Sequence, residues 1–416
     1  MPSRLAYRWF VQGLAVALAS FVSASMQAQV LGPAQRITGL QAPIGTRLPA
    51  AWPGATLQGI DNVLQRSLAL TRSVQIDALL RKEGRRVDVD PQGAPILRGE
   101  FLAMSLSGAA LDAVLAQGFS KERDVSMDAM PELGFVVLRD TRHRRAEEAM
   151  HVLRQTAPAA TFAYQHLYLP AGIIEATGET SSSAMASPNP AKRVGLIDGG
   201  IDTADSALAH AHIEQHGCTV PKPSRHGTAV AARLVDGGSY TLFASDLWCG
   251  DAVGGATSQL VEALAWMAHE HVPVINISLV GPDNPLLARA VQTMLARGHV
   301  LVSAAGNDGP AAPPLFPAAY PGVIGVGGVD AQGRVLPESA SGDQVAFCAS
   351  GVVGNGRNAL RGTSFAAPIV ARKAAQWMQA PDPDASAQVL KHLIGEVRAL
   401  HASGRDPRCG YGVLSP

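Results

Sequence analysis

Short apolar runs alternate with longer amphipathic segments along the second half of the chain. The apolar runs lack polar alternation, which is typical of strands buried on both faces, and the segments between them repeat apolar residues at helical spacing. Strands are predicted at 193–198, 240–248, 273–280, 299–307 and 321–330, and helices at 258–271 and 284–298. This order predicts an α/β domain over residues 192–416, with a parallel β-sheet and helices on both faces.

A different order of elements comes before it. Residues 98–175 are predicted as strand, helix, strand, strand, helix and strand, the ferredoxin-like α+β order. This small domain has no cluster of catalytic residue types, and His143 and His151 are predicted on a solvated helix face. Residues 29–97 are a poorly defined region with weak periodicity. Residues 176–191 are small, polar and proline-containing, which is typical of a linker that proteases cut easily.

The first 28 residues have the pattern of a secretory signal peptide. Two arginines precede an apolar stretch at 9–22, and Ala24 and Ala28 mark alternative cleavage points. An uncleaved membrane anchor is the alternative, but the stretch is shorter than the roughly 20 apolar residues that a span needs, and no later segment approaches that length. We therefore predict a secreted or periplasmic protein with no stable membrane span once the signal is removed.

Net charge identifies no partner. Lys+Arg and Asp+Glu each number 34, so no overall field favours nucleic acid or an anionic surface. Apolar residues make up 47% of the 416 residues and charged residues 16%, which suits buried cores rather than disorder.

Export changes how the four cysteines are interpreted. Cys218, Cys249, Cys348 and Cys409 are widely spaced and contain no C-x-x-C pair for zinc or redox chemistry. In an oxidising compartment two disulfides are expected, and three connectivities are possible. Proximity along the chain favours Cys218–Cys249 and Cys348–Cys409. Four buried free thiols are the alternative.

Three residues of complementary chemistry stand where regular elements begin or end. Asp198 closes a predicted strand, and His226 and Ser364 each open a small-residue segment predicted as a helix. Singly, each has an ordinary structural explanation as a turn aspartate, a helix-start histidine or an N-cap serine. Together they supply what acyl transfer needs, because an imidazole can take the serine proton while a carboxylate orients the imidazole. Asn307, at another strand end, is a suitable hydrogen-bond donor to an oxyanion.

Five motifs around these residues resemble those of the subtilase family, the subtilisin-like serine proteases. In chain order they are VGLIDGGID, RHGTAVAA, VINISLVGP, SAAGNDGP and RGTSFAAP. The resemblance covers about residues 192–380 and has the subtilisin order of aspartate, histidine and serine. It implies a serine endopeptidase that forms an acyl-enzyme. Asp198 would orient His226, His226 would be the general acid–base and Ser364 the nucleophile, and Asn307 would share the oxyanion hole with the Ser364 backbone N–H.

The resemblance also implies where a peptide substrate binds. Family members hold an extended peptide beside one strand, so that backbone hydrogen bonds give affinity and alternating pockets give specificity. The matching residues here are Ser278, Leu279, Val280 and Gly281 beside the peptide, and Ala304, Gly306 and Leu315 around the pocket for the residue before the cut.

Subtilases are commonly made with a ferredoxin-like prodomain that assists folding, inhibits the site and is then removed. The resemblance implies this role for residues 98–175, and a permanent accessory domain is the alternative. No cofactor is expected for catalysis. The sequence has no acidic loop of the kind that holds calcium in this family, so structural calcium stays open.

Some positions depart from the family motifs. Gly199 stands where Thr or Ser is usual, Ala229 and Ile369 stand where histidines are usual, and Val280 replaces a glycine, a change that is expected to narrow the cleft. These departures leave open a catalytically silent protein that binds peptides or partners. An α/β-hydrolase acting on esters would need a G-x-S-x-G elbow and the order serine, aspartate, histidine, and the sequence has neither.

Overall fold

The computed structural model describes residues 72–172, 191–354, 359–398 and 405–415. The predicted signal peptide lies outside these ranges, and so does all of the predicted linker except residue 191. Over the part of the chain that is described, no helix is both long and apolar enough to cross a membrane.

The small domain is a five-stranded antiparallel sheet packed against helices. Its elements are α1 (Arg72–Glu83), β1 (Val87–Val89), β2 (Pro95–Met104), α2 (Gly108–Ala116), β3 (Phe119–Val125), β4 (Phe135–Asp140), α3 (Ala146–Thr156) and β5 (Thr161–His166). β2 is central and pairs with β1, β4 and β5, while β3 pairs with β4. From β2 to β5 this is the predicted strand and helix order.

The two faces of this sheet have different partners because alternate residues of a strand point to opposite sides. Phe101 belongs to an apolar cluster with Val114 and Leu153 of the domain's own helices. Its neighbour Leu102 belongs to a second cluster, which contains Leu260 of the large domain. The small domain therefore shares an apolar core with the large one.

The predicted start of the small domain at residue 98 is wrong. Helix α1, strand β1 and the first residues of β2 all lie within 72–97, which the sequence left undefined. β1 has three residues, too few to show an alternating pattern, and Ile76 is the one buried residue of α1. Neither element therefore has a hydrophobic pattern strong enough to predict it from the sequence.

Seven parallel strands form the sheet of the large domain. The elements that follow the small domain are β6 (Leu169–Pro170), β7 (Lys192–Asp198), β8 (Ala211–His216), α4 (Arg225–Val235), β9 (Tyr240–Asp246), α5 (Thr257–His269), β10 (Val274–Ile277), β11 (Leu279–Val280), α6 (Pro285–Ala296), β12 (Val300–Ala304), β13 (Ile324–Val329), β14 (Val345–Ser350), β15 (Val352–Val353), β16 (Leu360–Arg361), α7 (Ala367–Ala374) and α8 (Pro383–Glu396). The strand order in the sheet is β14-β13-β12-β10-β7-β9-β8. Leu196 of β7 belongs to the apolar cluster of α4, α7 and α8, while Ile197 belongs to that of α5 and α6. The helices thus cover both faces, as predicted.

The predicted strand 273–280 is two strands. β10 ends at Ile277, and β11 leaves the sheet to pair antiparallel with β6. Ser278, at the break, is fully buried, and its hydroxyl accepts a hydrogen bond from Asn276 Nδ2 at 2.9 Å. The continuous apolar run hides this break because both halves are buried, each against a different partner strand.

Two disulfides are present, Cys218–Cys249 and Cys348–Cys409, with Cα–Cα distances of 5.4 and 4.9 Å. This confirms the pairing favoured by proximity along the chain and excludes the free-thiol alternative.

Candidate active site

Asp198 and His226 form a buried pair at the carboxyl end of β7. His226 is the second residue of α4, which Ser224 caps by accepting a hydrogen bond from the Gly227 N–H. His226 Nδ1 lies 2.8 Å from Asp198 Oδ1, which also accepts from the Gly199 N–H at 2.6 Å. Because a carboxylate can only accept, Nδ1 carries the proton and the lone pair of Nε2 is left free. Nε2 is buried and has no hydrogen-bond partner among the described residues.

Ser364 lies in a single 3₁₀ turn rather than at the start of a helix. The turn spans Thr363–Phe365, and α7 begins only at Ala367, so the prediction that Ser364 opens the helix is wrong by three residues. The turn follows Gly362, whose φ of 141° is a backbone conformation that glycine adopts readily and other residues rarely adopt. The Ser364 hydroxyl donates to the Ser278 carbonyl at 3.1 Å.

Asn307 is oriented by the same turn. Its Oδ1 accepts a hydrogen bond from the Thr363 N–H at 3.0 Å, and the Thr363 hydroxyl in turn accepts one from the Gly306 N–H at 3.1 Å. The amide nitrogen, Nδ2, is therefore the part of the side chain that faces the site.

The protein's own chain fills the cleft between these residues. β6 pairs antiparallel with β11, with Leu169 opposite Val280 and Pro170 opposite Leu279. The next residue, Ala171, continues the pairing, because its N–H donates to the Ser278 carbonyl at 3.1 Å. The segment after the small domain thus binds as an extended peptide.

The carbonyl of Ala171 has two donors. The Ser364 N–H donates to it at 3.0 Å, and Asn307 Nδ2 donates to it at 2.5 Å. The site is closed over this carbonyl, since Asp198, His226, Ser364 and Asn307 are 1%, 2%, 0% and 5% exposed.

The residues expected around a substrate lie at this segment. Ser278, Leu279 and Val280 lie along it, and Val280 pairs with Leu169. Leu315 and Ala304 belong with Ala171 to one apolar cluster. A Cβ on Gly306 would lie 2.9 Å from Leu315, so the leucine covers this glycine.

Gly281 has a different neighbour, the aromatic ring of Tyr168. A Cβ on Gly281 would lie 2.5 Å from that ring, so the glycine makes room for it. Tyr168 is fully buried, its N–H donates to the Gly255 carbonyl at 2.8 Å, and its hydroxyl donates to the Pro282 carbonyl at 2.8 Å. Burial raises the pKa of Tyr168 well above its ordinary value, so the hydroxyl stays a donor. The side chain of Tyr168, four residues before Gly172, is therefore held in a pocket that accommodates its ring and accepts a hydrogen bond from its hydroxyl group.

No cation site is assigned within the described ranges. One group there has three ligand atoms close together, Cys218, Asp246 and Cys249, and its cysteines are joined as a disulfide and offer no thiolate. His269 and His271, which are exposed, are not part of such a group.

Sequence patterns did not identify the residues contributed by the segment that follows the small domain. Tyr168, Ala171 and Gly172 carry no motif of their own. The signal that points to them is their position: an Ala-Gly pair shortly after the last predicted strand of a small domain and shortly before the predicted linker.

A subtilisin-like serine peptidase is the class of protein that this fold and site define. The sequence profile of the subtilase family matches residues 191–412, or 222 of 416 residues. The chain belongs to the subtilase family.

Relatives with known names agree with this assignment. Minor extracellular protease Epr of Bacillus subtilis (strain 168) is 29% identical over 167 residues, which are 38% of this chain and 26% of that protein. Subtilisin amylosacchariticus of Bacillus subtilis subsp. amylosacchariticus is 27% identical over 274 residues, or 59% of this chain and 68% of that protein. The chain thus spans about a quarter of the length of Epr and about two thirds of that of the subtilisin.

A solved structure shares the fold. Fervidolysin from Fervidobacterium pennivorans, a keratinolytic enzyme related to subtilisin, superimposes with a TM-score of 0.60 over 79% of this chain and 61% of that chain, at 17% identity.

Proposed function

We propose that this protein is an exported serine endopeptidase whose first substrate is its own chain, cut between Ala171 and Gly172. The observation that carries the proposal is the Ala171 carbonyl oxygen, which accepts hydrogen bonds from the Ser364 N–H and from Asn307 Nδ2. Two donors aimed at one carbonyl beside a serine hydroxyl are what a developing oxyanion requires.

In this mechanism the Ser364 hydroxyl turns from the Ser278 carbonyl toward His226 Nε2, which takes its proton. The serine oxygen attacks the carbonyl carbon of Ala171, and the negative charge moves to the oxygen held by the two donors. The C–N bond to Gly172 then breaks, and the glycine nitrogen takes the proton from His226. Water repeats the sequence on the acyl-enzyme, which frees Ala171 as a carboxylate and restores Ser364.

Asp198 has a supporting part in this mechanism. Its Oδ1 holds the Nδ1 proton of His226, which keeps Nε2 free to accept and stabilises the imidazolium once it forms. Both residues are buried, so water does not screen the interaction.

After the cut, we propose that the small domain stays bound as an inhibitor. Its surface contributes charged contacts to the large domain: Arg86 donates to both oxygens of Asp251 at 2.8 and 2.7 Å, and Arg123 donates to both oxygens of Glu262 at 3.2 and 2.9 Å. None of these four residues is next to the cleaved bond, so hydrolysis of that bond leaves the contacts in place.

A buried polar network strengthens this contact. His166 Nε2 lies 3.0 Å from Asp90 Oδ2, and its Nδ1 accepts from Asn284 Nδ2 at 3.0 Å. Asn284 also caps α6 of the large domain, because its Oδ1 accepts from the Leu286 N–H. Leaving such groups unpaired is costly, so the small domain is suited to assist folding of the region beside the cleft as well as to cover it.

Export is supported by three observations: the predicted signal peptide, the two disulfides, and a relative whose name describes it as extracellular. Periplasmic proteins and fully secreted proteins use the same kind of leader, so the proposal is a secreted or periplasmic protein.

The test is intact mass and N-terminal sequencing of the purified chain beside its Ser364→Ala variant. We expect the wild type to acquire a new N-terminus at Gly172 and the variant to keep the small domain covalently attached. A wild-type chain that keeps the small domain covalently attached would contradict the proposal and favour a catalytically silent protein.

A further inference from the structure

We propose that Phe365 makes this peptidase require glycine immediately after the bond that it cuts. The inference rests on the proposed cleavage between Ala171 and Gly172 and names a specificity for it. It comes from the surroundings of Gly172, the first residue on the leaving side of that bond.

Three groups surround the position that a Cβ on Gly172 would occupy. It would lie 2.9 Å from Cε2 of Phe365, 3.2 Å from Nε2 of His226 and 3.4 Å from the backbone carbonyl oxygen of Arg361. Carbon atoms in favourable contact are about 3.5–4.0 Å apart, so the first of these contacts is repulsive and the second is tight. Every residue except glycine carries a Cβ, so the obstruction applies to all of them.

The phenyl ring of Phe365 has little freedom to move aside. It is fully buried, lies in the same 3₁₀ turn as Ser364, and belongs to the main apolar cluster of the large domain. Its centroid is 5.2 Å from that of the His226 ring, tilted by 54°. Interiors are close-packed, so displacing a buried ring to admit a methyl group strains its neighbours.

The other two walls are also fixed. The His226 ring is held by Asp198, and moving it would disturb the proton acceptor itself. The Arg361 backbone belongs to β16, and its side chain is held by two hydrogen bonds to the buried carboxylate of Glu338 at 3.0 and 3.1 Å. The space beside Gly172 is therefore bounded by a rigid ring, a catalytic base and a backbone carbonyl.

The requirement is steric and not conformational. The φ of Gly172 lies outside the left-handed region that favours glycine, so the backbone there suits any L-residue. An alanine at 172 therefore tests the steric contacts of a Cβ, of which the contact with Phe365 is the shortest. The substrate class implied is an extended polypeptide with glycine directly on the leaving side of the cut bond.

The experiment uses the full chain made in a cell-free reaction, so that the time of synthesis is defined. Four chains are compared: wild type, Gly172→Ala, Phe365→Leu, and the double variant. Leucine removes the Cε2 atom that the new methyl would meet and keeps an apolar residue in the core. Gly108→Ala is the matched control, because a Cβ there meets nothing within 4 Å. The rate of appearance of an N-terminus at residue 172 is measured by mass spectrometry.

We expect Gly172→Ala to slow this cut by about 100-fold or more, while Gly108→Ala leaves it unchanged. In the Phe365→Leu background, the same Gly172→Ala change should slow the cut by less than about tenfold. This ratio within one background cancels any loss of folded protein that Phe365→Leu causes. A cut that moves to another bond in Gly172→Ala also supports the proposal, because the 171–172 bond is then spared.

Two results would overturn the proposal. One is Gly172→Ala cut at the same bond at a rate within about threefold of wild type. The other is an undiminished effect of Gly172→Ala in the Phe365→Leu background, which would show that Phe365 is not the cause. A wild-type chain that is never cut, or is cut only elsewhere, refutes the proposed self-cleavage at this bond, and this inference with it.

Discussion

The carbonyl oxygen of Ala171 lies 2.5 Å from Nδ2 of Asn307, although the two residues are 136 positions apart in the chain. The amide of Asn307 cannot turn its oxygen toward this carbonyl without losing the hydrogen bond that Oδ1 accepts from the Thr363 N–H. The donor is therefore oriented before any charge develops, which is the condition under which such a group speeds acyl transfer.

Asn307→Ala should slow self-cleavage without abolishing it, because the Ser364 N–H remains as the second donor. The expected loss is roughly 100- to 1,000-fold, the magnitude known for removal of one oxyanion-hole donor from a subtilisin. The rate of self-cleavage is measured from the decrease in the mass of the polypeptide over time, followed by intact mass spectrometry. A rate equal to that of wild type would remove Asn307 from the oxyanion hole.

The Tyr168 pocket should select tyrosine four residues before the glycine. In peptide substrates that carry the sequence of residues 166–174, replacing this tyrosine by phenylalanine should lower kcat/KM by about tenfold, since the Pro282 carbonyl loses its buried donor at a cost of about 1–3 kcal/mol. Gly281→Ala in the mature enzyme should remove the preference, because its methyl group would occupy the space of the ring. Equal kcat/KM for the two peptides with wild-type enzyme would contradict this assignment.

Acid should release the cleaved small domain. The hydrogen bond with Arg86 lowers the pKa of Asp251 from 3.8 to about 2. A carboxylate whose pKa is lowered on binding favours the complex above its usual pKa and loses that contribution as the pH falls toward the lowered value. Release should therefore increase between about pH 4 and pH 2.

Asp251→Asn is the control for this effect. It should weaken retention of the small domain at pH 6 and flatten the dependence below pH 4, as measured by size-exclusion chromatography of the cleaved complex. Because Arg86 and Asp251 are about half exposed, added salt should also weaken retention in the wild type. A variant whose pH profile superimposes on that of wild type would exclude Asp251 as a contributor.

The Cys348–Cys409 disulfide should contribute substantially to the stability of the large domain. It closes a segment of 61 residues and accompanies backbone hydrogen bonds from Cys348 to Gly412 and from Leu414 to Cys348. Replacing both cysteines by serine should lower the free energy of unfolding by roughly 4 kcal/mol in the chain-entropy account. Denaturant unfolding in a Ser364→Ala background, which keeps the chain intact, measures this. An unchanged midpoint and slope would refute it.

Local sequence determined much of the large domain. The strands ending at Asp198 and near Asn307, the amphipathic helices and the motifs around His226 and Ser364 are recognisable because apolar periodicity and small-residue turns act over a few residues. Local pattern also predicted the order of the small domain from β2 to β5. It failed at α1 and β1, where few residues are buried, and at the break at Ser278, where two buried strands are contiguous in the chain.

Only the tertiary structure decided what occupies the cleft. Residues 168–172 are ordinary in sequence, and they become a bound peptide because the small domain shares a core with the large one and places β6, which follows its last strand, beside β11. The same packing places Gly172 against Phe365, a contact between residues that are far apart in the chain. Sequence patterns indicate which face of a helix or strand is apolar. Contacts between segments that are distant in the chain depend on how those faces pack against each other, and this packing exists only in the folded chain.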